Sequence, residues 1–436
     1  MSRRAHTALT NCVLALVAGA SVLSACGDRA ASDGSPYGEI VARVVPQLEE
    51  QLGLPFKTPP RIETRSRDEV KKFVMAQLSS ERGRTQIGAQ QSIYRILGLI
   101  PDTMDLGGLL QRLLEEQIIG YYDPATKVLY VVDGAPKAML EQTVAHELVH
   151  ALQDQYVAID SIQKMTDDAD RQSAAQSILE GQAVFQQLRI DPNIGPMLKM
   201  PGGWDRIRDA MRDEQTGMPV FSSAPRAVRE GLLFPYLGGA DFVRRYIEKR
   251  PEKELLTDLP VSSRQILNDA AYFTADKSAR NVPVAVTLPA PPSGTVIYSN
   301  NFGEFETRLI LVQHIRDEPL ARRAASGIDG DRYSLIRTPT GEALVWVSVW
   351  DSSVDAADFL DVFGDAMRRR YEIGRQDIPA GTTSRTLDAP AKGQRGARRV
   401  SLELRQLDGR DVVIFVDAPA AAGTKLIDPA RITFGK

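Results

Sequence analysis

The sequence predicts an α+β protein in two parts: a large, mostly helical part with a small sheet, then a smaller α+β part built on an antiparallel sheet. Three observations predict it. Helical hydrophobic spacing fills residues 37–114, 169–188 and most of 204–272. Two β-rich runs, residues 118–122 and 128–132, flank a turn at Asp123-Pro124-Ala125-Thr126. After Thr295 short alternating runs return around Thr338-Pro339-Thr340-Gly341 and Asp408-Gly409, with helical stretches between them.

From the N-terminus, Arg3 and Arg4 precede an apolar run over residues 8–23, broken by Gly19 and Ser21, and then Leu23-Ser24-Ala25-Cys26. The run is short for a membrane span of about 20 residues. A basic start, a short apolar stretch and small residues before the cut make residues 1–25 a secretory signal peptide. Its last four residues resemble the lipobox of bacterial lipoproteins, which implies cleavage before Cys26 and lipid attached to it. Residues 26–36, rich in Gly, Ala, Ser and Asp, then form a flexible tether. The expected location is the bacterial cell envelope, lipid-anchored and outside the cytoplasm. Gly27 in place of an aspartate points to the outer membrane, facing the periplasm, if the cell has two. Cys12 falls in the signal and Cys26 is the lipid site, so no disulfide is expected.

The chain carries 53 basic and 56 acidic residues. With Arg3 and Arg4 removed it is mildly acidic and has no basic stripe, which gives nucleic-acid binding no support. Residues 37–290 form the first expected domain. Within it Val70, Phe73, Val74 and Leu78 keep helical spacing behind Asp68, as do Ile93, Ile96 and Leu97, while Pro46 and Pro59-Pro60 punctuate. Residues 281–294, with Pro283, Pro289, Pro291 and Pro292, form the connection. In the second domain, 295–436, one helix is expected around 302–323 and another over 354–371. Its strands are expected over 332–337, 343–350, 400–405 and 412–416.

The segment after the hairpin carries the chemistry. It reads Thr143-Val144-Ala145-His146-Glu147-Leu148-Val149-His150, and it holds two of the four histidines in the chain. On a helix, residues four apart share a face with β-carbons about 5–6 Å apart. Two imidazoles can therefore grip one metal ion, and Glu147 can reach a water on it. Val144, Ala145, Leu148, Val149, Ala151 and Leu152 surround them with apolar surface. Unpartnered histidines buried there would be costly.

Catalytic zinc takes three protein ligands and keeps one position for water. A third histidine six residues after His150 is absent, since that position is Tyr156, and Gln153 stands where that class has glycine. His314 lies in the second domain and reads as structural. The best third ligand is Glu180, set among apolar and small residues on a second helix, beside a Gly181 whose cost to the helix close approach of another helix would explain. Asp154, Asp160, Asp167 and Asp168 are alternatives. A donor for a tetrahedral oxyanion is sought among Tyr236, Tyr156 and Tyr272, with Tyr236 the first choice. Asp154, one turn after His150, is the expected partner of that imidazole.

His146-Glu147-x-x-His150 together with Glu180-Gly181-x-Ala183 resembles the gluzincins, the thermolysin-like zinc metallopeptidases, over roughly residues 118–188. The chain also resembles a group of exported bacterial lipoproteins of unassigned function, through Gly120-Tyr121-Tyr122-Asp123-Pro124, residues 145–155 and Trp350-Asp351-Ser352. The resemblance implies a zincin-like domain with a mixed sheet beside two crossing helices. It implies zinc on His146, His150 and Glu180, with Glu147 as general base for the zinc-bound water. In such peptidases the strand before the motif helix lines the cleft, and its free edge can pair with an extended peptide. One departure stands out: Val184 occupies the place where that family has the aspartate that orients the first histidine. The expected function is a membrane-tethered, zinc-dependent endopeptidase with a peptide or protein substrate. A non-catalytic zinc-fold lipoprotein that binds a peptide or envelope partner, and a zinc amidase for cell-wall cross-links, are the alternatives.

Overall fold

The computed structural model describes residues 37–134, 137–375, 379 and 381–435, and they form an α+β fold. The signal segment, Cys26 and the tether lie outside the described residues. Helix α1 (Gly38–Leu52) buries Val44, Leu48 and Leu52 at four-residue spacing, runs through Pro46, and stops at Gly53, whose φ of 65° suits glycine. Strand β1 (Arg61–Arg65) and helices α2 (Arg67–Leu78), α3 (Glu81–Leu97) and α4 (Leu106–Gln117) follow. Then come the hairpin strands β2 (Gly120–Asp123) and β3 (Val128–Val132), and the motif helix α5 (Lys137–Gln153).

The small sheet has the order β1-β3-β2 and is mixed: β1 runs parallel to β3 and β2 antiparallel to it. Leu129 and Val131 face Val144, Leu148, Val149 and Leu152 of α5. Val128, Tyr130 and Val132 face the other way, toward Val70 and Leu114. With β3 paired on both sides, the open edge nearest α5 belongs to β2. This corrects the expectation that the strand directly before the motif helix offers its own edge.

Helix α6 (Ile159–Gln163) is short, and α7 (Ala169–Ile190) is the central helix, buried all round from Ser177 to Leu188. Beyond it come α8 (Gly195–Leu198), α9 (Gly203–Thr216), α10 (Pro219–Ser223) and α11 (Arg226–Leu233). A π turn at Phe234–Gly238 leads into α12 (Gly239–Ile247), and α13 (Ser263–Leu267) and α14 (Asp269–Tyr272) close the layer. Helices α7 and α12 cross glycine against glycine. A β-carbon on Gly181 would lie 2.1 Å from the Gly239 carbonyl carbon, and one on Gly239 would lie 1.9 Å from the Ser177 carbonyl oxygen. This contact sits one residue from Glu180 and fixes its height. Gly181→Ala is therefore expected to destabilise by about 3 kcal/mol or more. Overpacking against backbone outweighs the roughly 1 kcal/mol gain in helix propensity. Thermal unfolding checks this; an unchanged or raised midpoint would contradict the crossing.

The chain turns to β structure with β4 (Ala285–Thr287), β5 (Thr295–Asn300), α15 (Gly303–Ile315), α16 (Glu318–Ala325), β6 (Ile328–Thr338) and β7 (Gly341–Trp350). Helix α17 (Ser353–Arg370) and strands β8 (Ser384–Ala389), β9 (Arg398–Leu407), β10 (Arg410–Pro419) and β11 (Thr433–Gly435) complete it. The main sheet, in the order β5-β6-β7-β10-β9-β8, is antiparallel throughout. The helix expected over 302–323 is two helices. Arg316 at φ 58° stops α15, and Asp317 starts α16 by accepting from the Leu320 N–H, with Pro319 in the first turn.

One face of this sheet packs Trp346 and Phe415 on Phe359 and Phe363 of α17. The same hydrophobic core runs on into α3, α7, α9 and α12. The other face is covered by Val286, Leu426 and Ile432. Residues 281–294, the expected connection between the two parts, are strapped to it. Strand β4 pairs with β11, the Val284 N–H donates to Asp329 O at 2.6 Å, and Asn281 Nδ2 donates to Asp329 Oδ1 at 2.7 Å.

Candidate metal centre

Helices α5 and α7 pack side by side, and their facing turns bring three ligand atoms together. His146 Nε2 and His150 Nε2 are 3.2 Å apart. Glu180 Oε2 lies 3.4 Å from the first and 3.3 Å from the second. All three residues are buried, at 5 %, 5 % and 3 % exposure.

The outer nitrogens of the rings define what the inner ones present. Gln153 donates its Nε2 to Leu179 O and to Gln182 Oε1, both at 3.0 Å. Its Oε1 therefore faces His150 Nδ1, at 2.9 Å. Gln187 Oε1 lies 3.2 Å from His146 Nδ1. An amide oxygen only accepts, so each Nδ1 carries a hydrogen, and a ring in its neutral form turns a lone pair inward from Nε2. Two imidazole lone pairs and a carboxylate thus converge, and Glu180 Oε2 has no hydrogen-bond partner.

Such a triangle requires positive charge at its centre. Burial opposes the imidazolium form of His150, yet the Glu180 charge beside it lifts its pKa to about 9. Burial likewise opposes the Glu180 carboxylate, which the two histidines hold at about 2. A proton on His150 fills the role of the cation when none is bound. A metal ion displaces that proton, so binding strengthens as pH rises. The dimensions fit as well. A tetrahedral ion with bonds of about 2.0–2.1 Å holds its ligand atoms about 3.3–3.4 Å apart. The buried cluster His146, His150 and Glu180 can therefore bind a metal ion.

Glu147 sits beside the triangle without joining it. It is 5 % exposed, and its Oε2 has no partner. Burial raises its pKa, against the pull of His146 and His150 and a hydrogen bond from the Tyr122 backbone. That bond ties the general-base candidate to β2, the edge strand of the small sheet. Tyr236, on the π turn, lies 6.3 Å from His146 between ring centroids, with the planes 21° apart. Single π turns inside α-helices recur at functional sites. Of the two other tyrosines, Tyr156 donates to Pro55 O at 2.6 Å, and Tyr272 donates to the Asp258 carbonyl.

Asp154 does not orient His150, which corrects the sequence expectation. Its carboxylate instead accepts from Tyr122 Oη at 2.8 Å and Lys127 Nζ at 2.6 Å, so it braces the hairpin against α5. The orienting groups are Gln153 and Gln187, which sequence reasoning missed. Their signal was positional: Gln153 follows His150 by three residues, and Gln187 follows Glu180 by seven, each on the same helix face. Asp160 pairs with Lys164, Asp168 caps α7, and Asp167 is also outside the triangle. His314 places Nε2 2.7 Å from Leu97 O, and burial lowers its pKa to about 4, in keeping with a structural role.

Gln153→Leu removes the acceptor that fixes the His150 tautomer. Metal affinity is expected to fall about 10–100-fold, the usual cost of losing an outer partner. Competition with a chromogenic chelator measures it. Equal affinity in Gln153→Leu and wild type would remove Gln153 from this role.

Residues 294–428 match a domain of unknown function, DUF8575. The match begins where the helical layer gives way to β5 and leaves His146, Glu147, His150, Glu180 and Tyr236 outside it. No curated protein matches the chain in sequence, and no solved structure matches it in fold.

Proposed function

We propose that the chain is a zinc-dependent endopeptidase that works outside the cytoplasm, tethered to a bacterial membrane through lipid on Cys26. The observation that carries the reading is the pairing of two features. A triangle of lone-pair donors with the dimensions of a tetrahedral site stands next to a buried carboxylate, Glu147, that is not needed to hold the ion. Two imidazoles and one carboxylate leaving a fourth position are a donor set typical of catalytic zinc. Zinc bound there supplies a Lewis acid that lowers the pKa of water and polarises a carbonyl.

The chain's own groups do the rest. Glu147, its carboxyl pKa raised by burial, takes a proton from the attacking water and delivers it to the departing nitrogen. The Tyr122 N–H holds that carboxylate in place. The outer edge of β2 runs alongside and offers main-chain groups to an extended peptide. Tyr236, packed against His146, is the proposed donor to the developing oxyanion. Among the described residues no helix is long and apolar enough to cross a membrane.

The test is digestion of an unfolded protein and a mixed peptide library by the zinc-loaded chain, with products read by mass spectrometry. Cleavage that stops on chelation and returns with zinc is expected. Retention of peptides without any cleavage would favour a non-catalytic binding lipoprotein. Cleavage of cell-wall fragments alone would favour an amidase.

A further inference from the structure

Next to His150 and Glu180 lies a chamber of about 30 Å³. That is roughly the room of one water molecule or one methyl group. Its apolar walls are Pro124 from the hairpin turn, Ile159 and Ile162 from α6, and Leu179, the neighbour of the ligand Glu180; Tyr122, Gln172 and Gln176 complete it. Ile159 and Leu179 are 3 % and 4 % exposed and pack with Leu256, so this side cannot yield without disturbing a core cluster. The α6 wall is tied at both ends. Before it, Tyr156 Oη donates to Pro55 O; after it, Gln172 Nε2 donates to Ile162 O at 3.3 Å and Asn300 Nδ2 to Thr166 O at 2.9 Å.

We propose that this chamber receives the side chain flanking the scissile amide, and that Ile159 and Ile162 restrict it to glycine, alanine or serine. The inference rests on the hydrolase reading for the word scissile, but the fit is a property of the walls. A methyl group fills the space. A leucine or phenylalanine side chain needs several more carbon positions than the chamber holds, and seating it there displaces α6. Overpacking of that kind costs about 1–3 kcal/mol, and a pocket discriminates by about 10-fold or more per unaccommodated methylene. Both protein chains and cell-wall peptides supply a methyl-bearing residue beside an amide, and only cell-wall peptides supply it as the D isomer.

Amino-acid hydroxamates test this on the zinc-loaded full chain, because they bind a metal centre whether or not it turns over a peptide. Titration with glycine, L-alanine, D-alanine, L-leucine and L-phenylalanine hydroxamates is expected to give alanine at least about 10-fold tighter than leucine or phenylalanine. Ile162→Ala is expected to bring leucine hydroxamate to within a few-fold of alanine, with alanine binding little changed; Ile159→Ala serves as an independent second variant. A preference for D-alanine supports the proposal with cell-wall peptide as the source, and one for L-alanine supports it with an L-residue source, which protein supplies throughout. Wild type binding the leucine or phenylalanine probe as tightly as alanine, or an unchanged order in both variants, overturns the chamber and leaves the metal centre standing. Failure of every hydroxamate to bind overturns the metal centre and the chamber together.

Discussion

Glu147→Gln is expected to stay folded, keep its metal and lose peptide hydrolysis by about 10²–10⁴-fold, the usual contribution of a positioned general base. Glu147 lies outside the ligand triangle, so the ion does not depend on its charge. Its side chain is buried with one oxygen unpartnered, and an amide of the same size fits the same space and still accepts from the Tyr122 N–H. What the amide cannot do is take and return a proton. Steady-state cleavage of a peptide, with metal content and circular dichroism on the same samples, separates these effects. A variant that cleaves as fast as wild type would remove Glu147 from the mechanism.

The second large effect concerns the ligands. His146→Ala and His150→Ala each delete one of the three convergent donors and leave a cavity beside Glu180. Metal affinity is expected to fall by well over the roughly 10–100-fold that follows loss of an outer partner, so the purified variants should hold little metal. Glu180→Ala should do the same. It also leaves two imidazole lone pairs 3.2 Å apart with no anion to favour a proton between them. Elemental analysis after dialysis gives the count. Full retention in either histidine variant would place the ion elsewhere; full retention in Glu180→Ala alone would reassign only the third ligand.

The parts legible in the sequence share a cause. A spacing of four on an apolar helix leaves two histidines no orientation except a common face. Glu180 was legible through its setting, since a carboxylate among buried neighbours beside a glycine needs a partner and a crossing helix. What stayed hidden depends on tertiary placement. Strand β1, Arg61-Ile62-Glu63-Thr64-Arg65, is an edge strand with one aliphatic residue, so it carries little hydrophobic period. Gln153 and Gln187 look like ordinary helix residues until the packing of α5 on α7 brings their oxygens to the imidazoles. Asp154 misled for the converse reason: its charge suits a histidine, but its carboxylate is taken by Tyr122 and Lys127 of the hairpin. The break at Arg316 has no breaker residue of its own, and only the Asp317 cap and Pro319 beyond it mark the boundary.

The most direct test of the metal centre is X-ray absorption at the zinc edge on the zinc-loaded full chain. One zinc per chain is expected, with two imidazoles, one carboxylate oxygen and one further light atom at about 2.0–2.1 Å. Whatever zinc His146→Ala retains should show at most one imidazole. A wild-type zinc shell with a different histidine count, or a shell unchanged in that variant, would contradict this ligand set.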